Sequence, residues 1–238
     1  MVTGGAAGLG RAYAERLARD GALVWIADIA DPEESVRSIV AGGGDAQGGH
    51  CDVTDPASVE AFRDHVIEQH GRCDILVNNA GIYPVKAFED TTLEDLRQIN
   101  AVNLEGVFLM SQAFIPAMKA RRYGRIVNIS STTAWLAVPG FSAYIASKMA
   151  VIGLTRAMAT ELGAHGITVN CACPSLVRTD TTEAGPQREM FAPVAEQQAI
   201  KRTQVPGDMV GTIAFLCSDD SAFMTGQTLV TDGGLIRL

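Results

Sequence analysis

The chain has 238 residues, 47% hydrophobic and 19% charged, a composition typical of a globular protein with a full buried core. Nineteen basic and 27 acidic residues give a formal net charge of -8, which argues against nucleic acid as a partner. No apolar run reaches the roughly 18 residues that cross a bilayer, and the first residues do not resemble a signal peptide. We therefore expect a cytoplasmic location without membrane contact, and a single domain over residues 1–238.

The apolar runs predict strands that alternate with helices. Runs rich in Val, Ile and Leu occur at residues 23–27, 75–77, 125–129, 167–173 and 228–230. Such alternation, with strands apolar on both faces, predicts an α/β fold: a doubly wound parallel sheet with helices on both faces.

Local signals mark the helices between these strands. The first amphipathic helix starts near Leu9 and ends at Asp20-Gly21, and the second opens at Asp55-Pro56, where Asp55 is a suitable cap. A long helix is predicted from about residue 142 to 163. The glycine-dense stretch at residues 42–49 is interpreted as a short loop.

The five cysteines form no CxxC pair, and the four histidines form no HExxH pattern. We expect reduced thiols and no metal site. Cys171 and Cys173 alternate along an apolar run, so small packing residues are the favoured interpretation.

A glycine-rich segment, Thr3-Gly4-Gly5-Ala6-Ala7-Gly8-Leu9-Gly10, leads directly into the first helix. Small residues there let the backbone approach a pyrophosphate and point helix N–H groups at it, although plain tight turns have similar compositions. Asp28 ends the first apolar run at the spacing expected of an acid that binds adenosine ribose hydroxyls. Its carboxylate would repel a 2'-phosphate, and neither Ala6, Ala7 nor Ile29 is basic, so NAD(H) is preferred over NADP(H).

Polar residues follow four of the predicted strands or loops, at residues 51–53, 78–81, 130–131 and 174–175. Each group alone is compatible with an ordinary turn. Because parallel strands end at one edge of the sheet, we expect these groups to outline a single crevice.

Three further residues have spacings with chemical meaning. Tyr144 and Lys148 lie four residues apart on one helical face, where an ammonium can favour the phenolate, although such pairs also occur on exposed helices. Asn103 shares a helical face with Ile99 and Val107, which predicts a buried amide with hydrogen-bond partners or a water-filled kink.

Together these motifs resemble the short-chain dehydrogenase/reductase family. The resemblance covers the whole chain, in the family's order, and includes Ser131 and the segments Pro174-Ser175-x-Val177-x-Thr179, Thr225-Gly226-Gln227 and Asp232-Gly233-Gly234. It implies a three-layer Rossmann fold, and usually a homotetramer in which the helices of Asn103 and Tyr144 pack against partner subunits.

The resemblance also implies roles for the site residues. Tyr144 is the acid/base, Ser131 holds the substrate oxygen, Lys148 binds the nicotinamide ribose and lowers the pKa of Tyr144, and Asn103 holds a water that links Lys148 to solvent. Cofactor contacts are implied for Thr3, Gly4, Gly8, Leu9, Gly10, Asp28, Ile29, Asp52, Val53, Asn79, Ala80, Gly81, Tyr144, Lys148, Pro174, Val177 and Thr179.

The chain departs from the family pattern at two places. Only Met1 and Val2 precede Thr3, which predicts a truncated first strand. We expect either that the native protein begins upstream or that a short strand is tolerated at a cost in stability. Pro174-Ser175 stands where Pro-Gly is common in the family, and the serine adds a hydroxyl near the nicotinamide.

In the C-terminal third, four segments look most like the 1-phenylethanol dehydrogenase branch: residues 174–179, 182–184, 204–206 and 225–229. That resemblance implies a secondary alcohol or ketone as substrate, an apolar or aryl one such as 1-phenylethanol or acetophenone. We expect a lid at about residues 180–206, with Met190 and Phe191 as an apolar cover. Tyr83, Thr133, Trp135 and Leu176 are candidates for an aryl-sized pocket, with Trp135 equally suited to core packing.

Several alternatives remain open from the sequence. Within the family they are reduction of a 3-oxoacyl thioester, or oxidation of pyridoxal, sugar or steroid alcohols. Halohydrin dehalogenases resemble the chain in Ser131 and Tyr144 but have Arg at the position of Lys148. A catalytically idle NAD-binding module would normally lack Tyr or Lys.

Overall fold

The computed structural model describes residues 1–237. Seven parallel strands form one sheet in the order β3-β2-β1-β4-β5-β6-β7. The strands are β1 (Val2–Thr3), β2 (Leu23–Asp28), β3 (Asp45–His50), β4 (Ile75–Asn78), β5 (Gly124–Ile129), β6 (Ile167–Pro174) and β7 (Thr228–Thr231).

Helices cover both faces of the sheet, as predicted for a three-layer Rossmann fold. They are α1 (Gly8–Arg19), α2 (Glu33–Ala41), α3 (Pro56–His70), α4 (Leu93–Asn100), α5 (Gly106–Arg121), α6 (Thr133–Leu136), α7 (Ser142–Leu162), α8 (Asp180–Ala184), α9 (Phe191–Gln197) and α10 (Gly207–Cys217). A π-helical turn, Ala101–Glu105, joins α4 to α5.

The sheet separates two apolar cores. On one side α1 and α10 pack together, with Tyr13 and Ile213 fully enclosed. On the other side α3 and α5 pack together, with Phe62 and Phe114 buried. The burial of both sheet faces explains why the strands are continuous apolar runs rather than alternating ones.

The local helix signals are confirmed. Helix α1 ends just before Gly21, whose φ of +94° is a left-handed conformation that glycine adopts without strain. The Asp55 carboxylate caps α3 by accepting a hydrogen bond from Ala57 N at 3.0 Å. The predicted helix at residues 142–163 is α7.

The interpretation of residues 42–49 as a loop is wrong. Residues Asp45–His50 form the edge strand β3, paired in parallel with β2 over six positions. An edge strand has one free side and needs fewer apolar side chains, so the composition gave no strand signal. Gly48 is required there because a Cβ would lie 2.8 Å from the Pro32 ring.

Strand β1 is short but occupies the centre of the sheet. Val2 pairs with Ile26 on β2 and with Val77 on β4. The Met1 ammonium donates to Ile75 O at 3.0 Å, while β2 begins three residues before Ile26. A cavity of about 360 Å³ lies ahead of Met1, and it is lined in part by Leu17, Val24, Trp25, Val66 and His70. The buried Trp25 Nε1 and His70 Nε2 have no hydrogen-bond partner.

We expect two apolar residues added before Met1, Ala-Leu, to lengthen β1 into this cavity. Burial of one leucine side chain contributes about 1.5–3 kcal/mol, so thermal unfolding should shift upward by several degrees. A Gly-Ser addition of equal length is the control, because it fills little of the cavity. Equal melting temperatures for the two additions, measured by circular dichroism, would contradict the prediction.

Within residues 1–237, one continuous helical segment, Leu93–Arg121, is long and apolar enough by composition to cross a membrane. It packs inside the fold: α4 contacts α7, and α5 contacts α3. A buried core helix can have the same length and apolar composition, so the segment is weak evidence for a membrane span.

Candidate active site

A cavity of about 440 Å³ opens at the carboxyl ends of the strands, where the sheet order reverses between β1 and β4. It collects nearly all the residues that the sequence singled out. Those lining it are Gly4, Gly8, Leu9, Gly10, Asp28, Ile29, Asp52, Val53, Asn79, Ala80, Gly81, Ser131, Tyr144, Lys148, Pro174, Val177 and Thr179. The two others, Thr3 and Asn103, are buried behind the wall.

Thr3 and Asn79 hold the glycine loop against the end of β4. The Thr3 hydroxyl accepts hydrogen bonds from Asn79 N and Ala80 N, both at 3.0 Å. In return, Asn79 Nδ2 donates to Thr3 O and Gly4 O, also at 3.0 Å. Thr3 therefore supports the site from behind and does not face the cavity.

The glycine loop leaves room that side chains would fill. Gly4 has a φ of +63°, and a Cβ on Gly10 would lie only 2.0 Å from Gly4 O. Helix α1 follows with no side-chain cap and no acidic residue in its first turn. Its N–H groups and positive dipole end are thus free for an anion, so the loop fits the pyrophosphate of a dinucleotide.

Two carboxylates lie farther along the same cavity. Asp28 accepts hydrogen bonds from Ala6 N at 2.9 Å and Ala30 N at 3.0 Å, which fixes its side chain at the end of β2. Asp52 accepts from the N–H and hydroxyl of Thr54, and these bonds hold the pKa of Asp52 below its usual value. Ile29 is 68% exposed at the rim.

Tyr144 lies on the first turn of α7 among aromatic rings. The Tyr83 and Phe141 rings pack edge-on to it, with centroids 6.3 Å and 5.8 Å away. Burial raises the pKa of Tyr144 to about 12, and the neighbouring Ser131 hydroxyl opposes that rise. At neutral pH the phenol of the folded chain therefore retains its proton.

Lys148 lies one helical turn beyond Tyr144 and is almost completely buried. Its Nζ donates to Ile129 O at 2.9 Å and lies 5.7 Å from the centre of the Tyr144 ring. Burial lowers the pKa of Lys148 to about 8. The expected acidification of Tyr144 by Lys148 is not a property of the folded chain alone, because burial dominates the pKa of the phenol.

Asn103 is fully buried in the π-helical turn, as its apolar face predicted. Its Oδ1 accepts from Ile82 N at 2.8 Å, and its Nδ2 donates to Ile82 O at 2.9 Å and to the Ser147 hydroxyl at 3.0 Å. The side chain thus joins the loop after β4 to α7. A Cβ on Gly81 would lie 3.2 Å from Asn103 Oδ1 and 3.3 Å from Lys148 Nζ. Any larger residue at position 81 would therefore crowd both the amide and the amine.

The segment after β6 differs from the expected apolar cover. Thr179 caps α8, and Thr182 donates to Val177 O at 2.8 Å, while Phe191 is buried beneath the Arg178 guanidinium, 5.2 Å from the ring. Met190 is 45% exposed. Neither Met190 nor Phe191 lines the cavity; Thr181, Thr182 and Gln187 do. Phe191 instead packs within its own segment, and Met190 faces the solvent.

Of the four predicted pocket residues, Tyr83, Thr133 and Leu176 line the cavity. Trp135 does not, and it packs against the apolar cluster around Val107 and Val151. Further lining residues were not predicted from the sequence, and the available signal for them was adjacency to a strand end or helix start: Ala27, Thr54, Ile82, Val102, Ile129 and Phe141. The cavity is also lined by residues of the predicted glycine-rich loop, strand-end groups and lid: Ala7, Cys51, Ser130, Ser175, Thr181, Thr182 and Gln187.

All five cysteines are buried and unpaired. In the described part of the chain, no three His, Cys, Asp or Glu side chains come together as a metal site.

Comparison with known proteins places this geometry in a family. The family model described as Enoyl-(Acyl carrier protein) reductase matches residues 4–236. A dehydrogenase subunit from Thauera aromatica, (2S)-[(R)-hydroxy(phenyl)methyl]succinyl-CoA dehydrogenase subunit BbsD, is 40% identical over 98% of this chain and 94% of its own. Meso-2,3-butanediol dehydrogenase from Serratia marcescens is 37% identical, and the match covers 98% of this chain and 92% of that protein.

A solved structure from Beutenbergia cavernae, described as an NAD(P)-dependent gluconate 5-dehydrogenase with NADP at low occupancy, superposes with a TM-score of 0.92. It is 37% identical and covers 98% of this chain and 94% of that chain. With the full-length family match, the doubly wound sheet and the Ser131, Tyr144 and Lys148 side chains in one cavity, the chain belongs to the short-chain dehydrogenase/reductase family of oxidoreductases.

Proposed function

We propose that the chain transfers hydride between NAD(H) and a secondary alcohol or its ketone, with an apolar or aryl group beside the reacting carbon. The observation that carries the proposal is the single cavity, which unites a glycine cradle and Asp28 at one end with Ser131, Tyr144 and Lys148 at the other. Binding and chemistry thus share one site, as a two-substrate redox enzyme needs.

The dinucleotide supplies the hydride acceptor or donor at its nicotinamide ring. The chain orients the second substrate: Ser131 holds the alcohol oxygen, and Tyr144 accepts its proton during oxidation or donates one during reduction. Because burial raises the pKa of Tyr144 to about 12, the phenol is protonated near neutral pH and holds the proton that ketone reduction consumes. In the oxidation direction, the positive charges of Lys148 and of the oxidised nicotinamide favour the phenolate.

Lys148 is the cation that contacts the nicotinamide ribose in this proposal. It reaches the cavity from a buried position fixed by its bond to Ile129 O. Asn103 fixes the backbone of Ile82 next to it through two hydrogen bonds. A water at this junction would complete the path by which protons leave Lys148 for solvent.

Asp28 is the residue that selects NAD(H) over NADP(H). Its carboxylate is exposed to the cavity at the end of β2, where it accepts ribose hydroxyls and repels a 2'-phosphate. Asp52 and Val53 would contact the adenine, Asn79 to Gly81 the ribose, and Pro174, Val177 and Thr179 the nicotinamide end.

Asp28→Asn is expected to lower the NAD/NADP ratio of kcat/KM by about tenfold, because it removes a repulsion between the carboxylate and the 2'-phosphate that contributes about 1.4 kcal/mol to the discrimination. Asp31→Asn, which removes an equal charge three residues away outside the cavity, is the control. An unchanged ratio in Asp28→Asn, from initial rates with both cofactors, would remove Asp28 from this role.

The relatives support an alcohol substrate with a second functional group or ring. The Thauera aromatica relative is named for a hydroxy(phenyl)methyl substrate, and others for butanediol and hydroxysteroid. Tyr83, Phe141 and Leu176 provide an apolar wall of matching character around Tyr144. A panel of 1-phenylethanol, 2,3-butanediol, gluconate, a steroid alcohol, pyridoxine and a 3-oxoacyl thioester tests the choice, with highest kcat/KM expected for 1-phenylethanol.

Two further features complete the proposal. Residues 180–206 act as the lid, because α8 contributes Thr181 and Thr182 to the cavity wall and the turn that follows it contributes Gln187. The chain works as a soluble homotetramer: Leu93 on α4, Phe108 on α5 and Met149 on α7 are large apolar side chains between 46% and 60% exposed, which a partner subunit would cover.

A further inference from the structure

The Ser131 hydroxyl receives two hydrogen bonds from a single residue. Thr133 N donates to Ser131 Oγ at 3.2 Å, and the Thr133 hydroxyl donates to the same oxygen at 3.0 Å. A serine hydroxyl has two acceptor lone pairs and one proton. With both lone pairs engaged by Thr133, the remaining direction around the oxygen belongs to the Ser131 proton.

The cavity side of Ser131 is the direction left for that proton. Ser131, Thr133 and Tyr144 all line the cavity, and a hydrogen bond from the Ser131 hydroxyl opposes the rise in the pKa of Tyr144. The first turn of α6 keeps this arrangement in place, because Ala134 N donates to Ser131 O at 3.2 Å and Trp135 N to Thr132 O at 3.0 Å. Ser131 therefore acts toward the site as a hydrogen-bond donor. A serine hydroxyl that rotates freely would not be restricted to this role.

We propose that Thr133 is a positioning residue of the proposed reaction: its hydroxyl fixes Ser131 Oγ as a hydrogen-bond donor toward the substrate oxygen and Tyr144. The inference rests on the proposed function and adds a role for a residue otherwise assigned only to the pocket wall. Thr133 itself does not need to touch the substrate. It acts by removing the alternative rotamers and acceptor states of Ser131.

One substitution tests the Thr133 hydroxyl separately from the rest of the side chain. Thr133→Val preserves the shape and the backbone N–H that donates to Ser131, and it removes only the second donor. Thr133→Ser retains that donor and loses a methyl group. The pair separates a role in hydrogen bonding from a role in packing.

The expected result for Thr133→Val is a fall in kcat of about fivefold, the effect of one hydrogen bond, with KM for the dinucleotide unchanged. The rise of the oxidation rate with pH should also move to higher pH, because a less firmly held Ser131 stabilises the Tyr144 phenolate less. The other titratable groups facing that phenol are Tyr83, Cys173 and Lys148, and the substitution touches none of them. Thr133→Ser should restore both kcat and the pH profile.

A double-mutant cycle with Ser131→Ala shows whether Thr133 acts through Ser131. In the Ser131→Ala background, Thr133→Val should change kcat by a factor near one. An equal loss of kcat in both backgrounds, or no loss and no pH shift in the single variant, overturns the inference. A wild-type chain that reduces no NAD with any alcohol of the panel refutes the proposed function instead, so the two failures are distinguishable.

Discussion

Tyr144→Phe is expected to lower kcat for alcohol oxidation by about 1,000-fold, because a positioned acid/base contributes between about 100-fold and 10,000-fold. The phenylalanine ring retains the edge-on contacts with Tyr83 and Phe141 and loses only the oxygen. Initial rates of NADH formation at 340 nm measure the loss. The affinity for NADH, followed by its fluorescence, should stay within about twofold of wild type.

Tyr123→Phe is the matched control for this experiment. The Tyr123 hydroxyl donates to Asp219 at 3.0 Å outside the cavity, so its removal should leave kcat unchanged. The wild-type pH profile adds a second check. Because burial raises the pKa of Tyr144, oxidation should become faster toward alkaline pH, while ketone reduction is fastest near neutrality. Comparable kcat values for wild type and Tyr144→Phe would remove Tyr144 from the chemistry.

Gly10→Ala is expected to weaken use of the dinucleotide by about 100-fold in kcat/KM, the scale of a displacement of about 1 Å in a binding site. The new Cβ would lie 2.0 Å from Gly4 O and 2.5 Å from Asn79 Nδ2, so the glycine loop must move away from the end of β4. Both atoms are anchored by hydrogen bonds, and neither can give way cheaply. Forced overpacking of this kind also costs about 1–3 kcal/mol of stability.

Gly211→Ala provides the control because it makes the same substitution inside α10, where a Cβ would meet nothing within 4 Å. Alanine is favoured over glycine in a helix interior by about 0.5–1 kcal/mol, so this variant should be slightly more stable than wild type. NADH titrations and thermal melts of the two variants give the comparison. Wild-type affinity in Gly10→Ala would show that the loop does not hold the pyrophosphate.

Sequence patterns that span only a few residues predicted much of the fold and of the site. The left-handed glycine after α1, the Asp55 cap of α3 and the four-residue spacing of Tyr144 and Lys148 are all visible within a few residues. Their physical causes are equally local: a backbone conformation, an orphan N–H group and the helical repeat. The crevice followed from one rule, that parallel strands end at the same edge of the sheet.

Features that depend on distant contacts were not predictable in this way. Strand β3 has a loop-like composition, and its pairing with β2 alone makes it a strand. Trp135 and Phe191 are apolar residues whose orientation, into a core or into the cavity, is decided by neighbours far along the chain. The two bonds from Thr133 to Ser131 depend on the turn geometry at the start of α6, which residue types alone do not determine.

The central claim is that Tyr144 takes a proton from a carbinol whose hydride passes to NAD in the same cavity. The most direct measurement oxidises 1-phenylethanol that carries deuterium on the carbinol carbon and follows the isotope in the isolated coenzyme by mass spectrometry. The account predicts one deuterium in NADH for each ketone formed, and loss of both products in Tyr144→Phe. Ketone formed without deuterated NADH, or equal transfer by Tyr144→Phe, would contradict it.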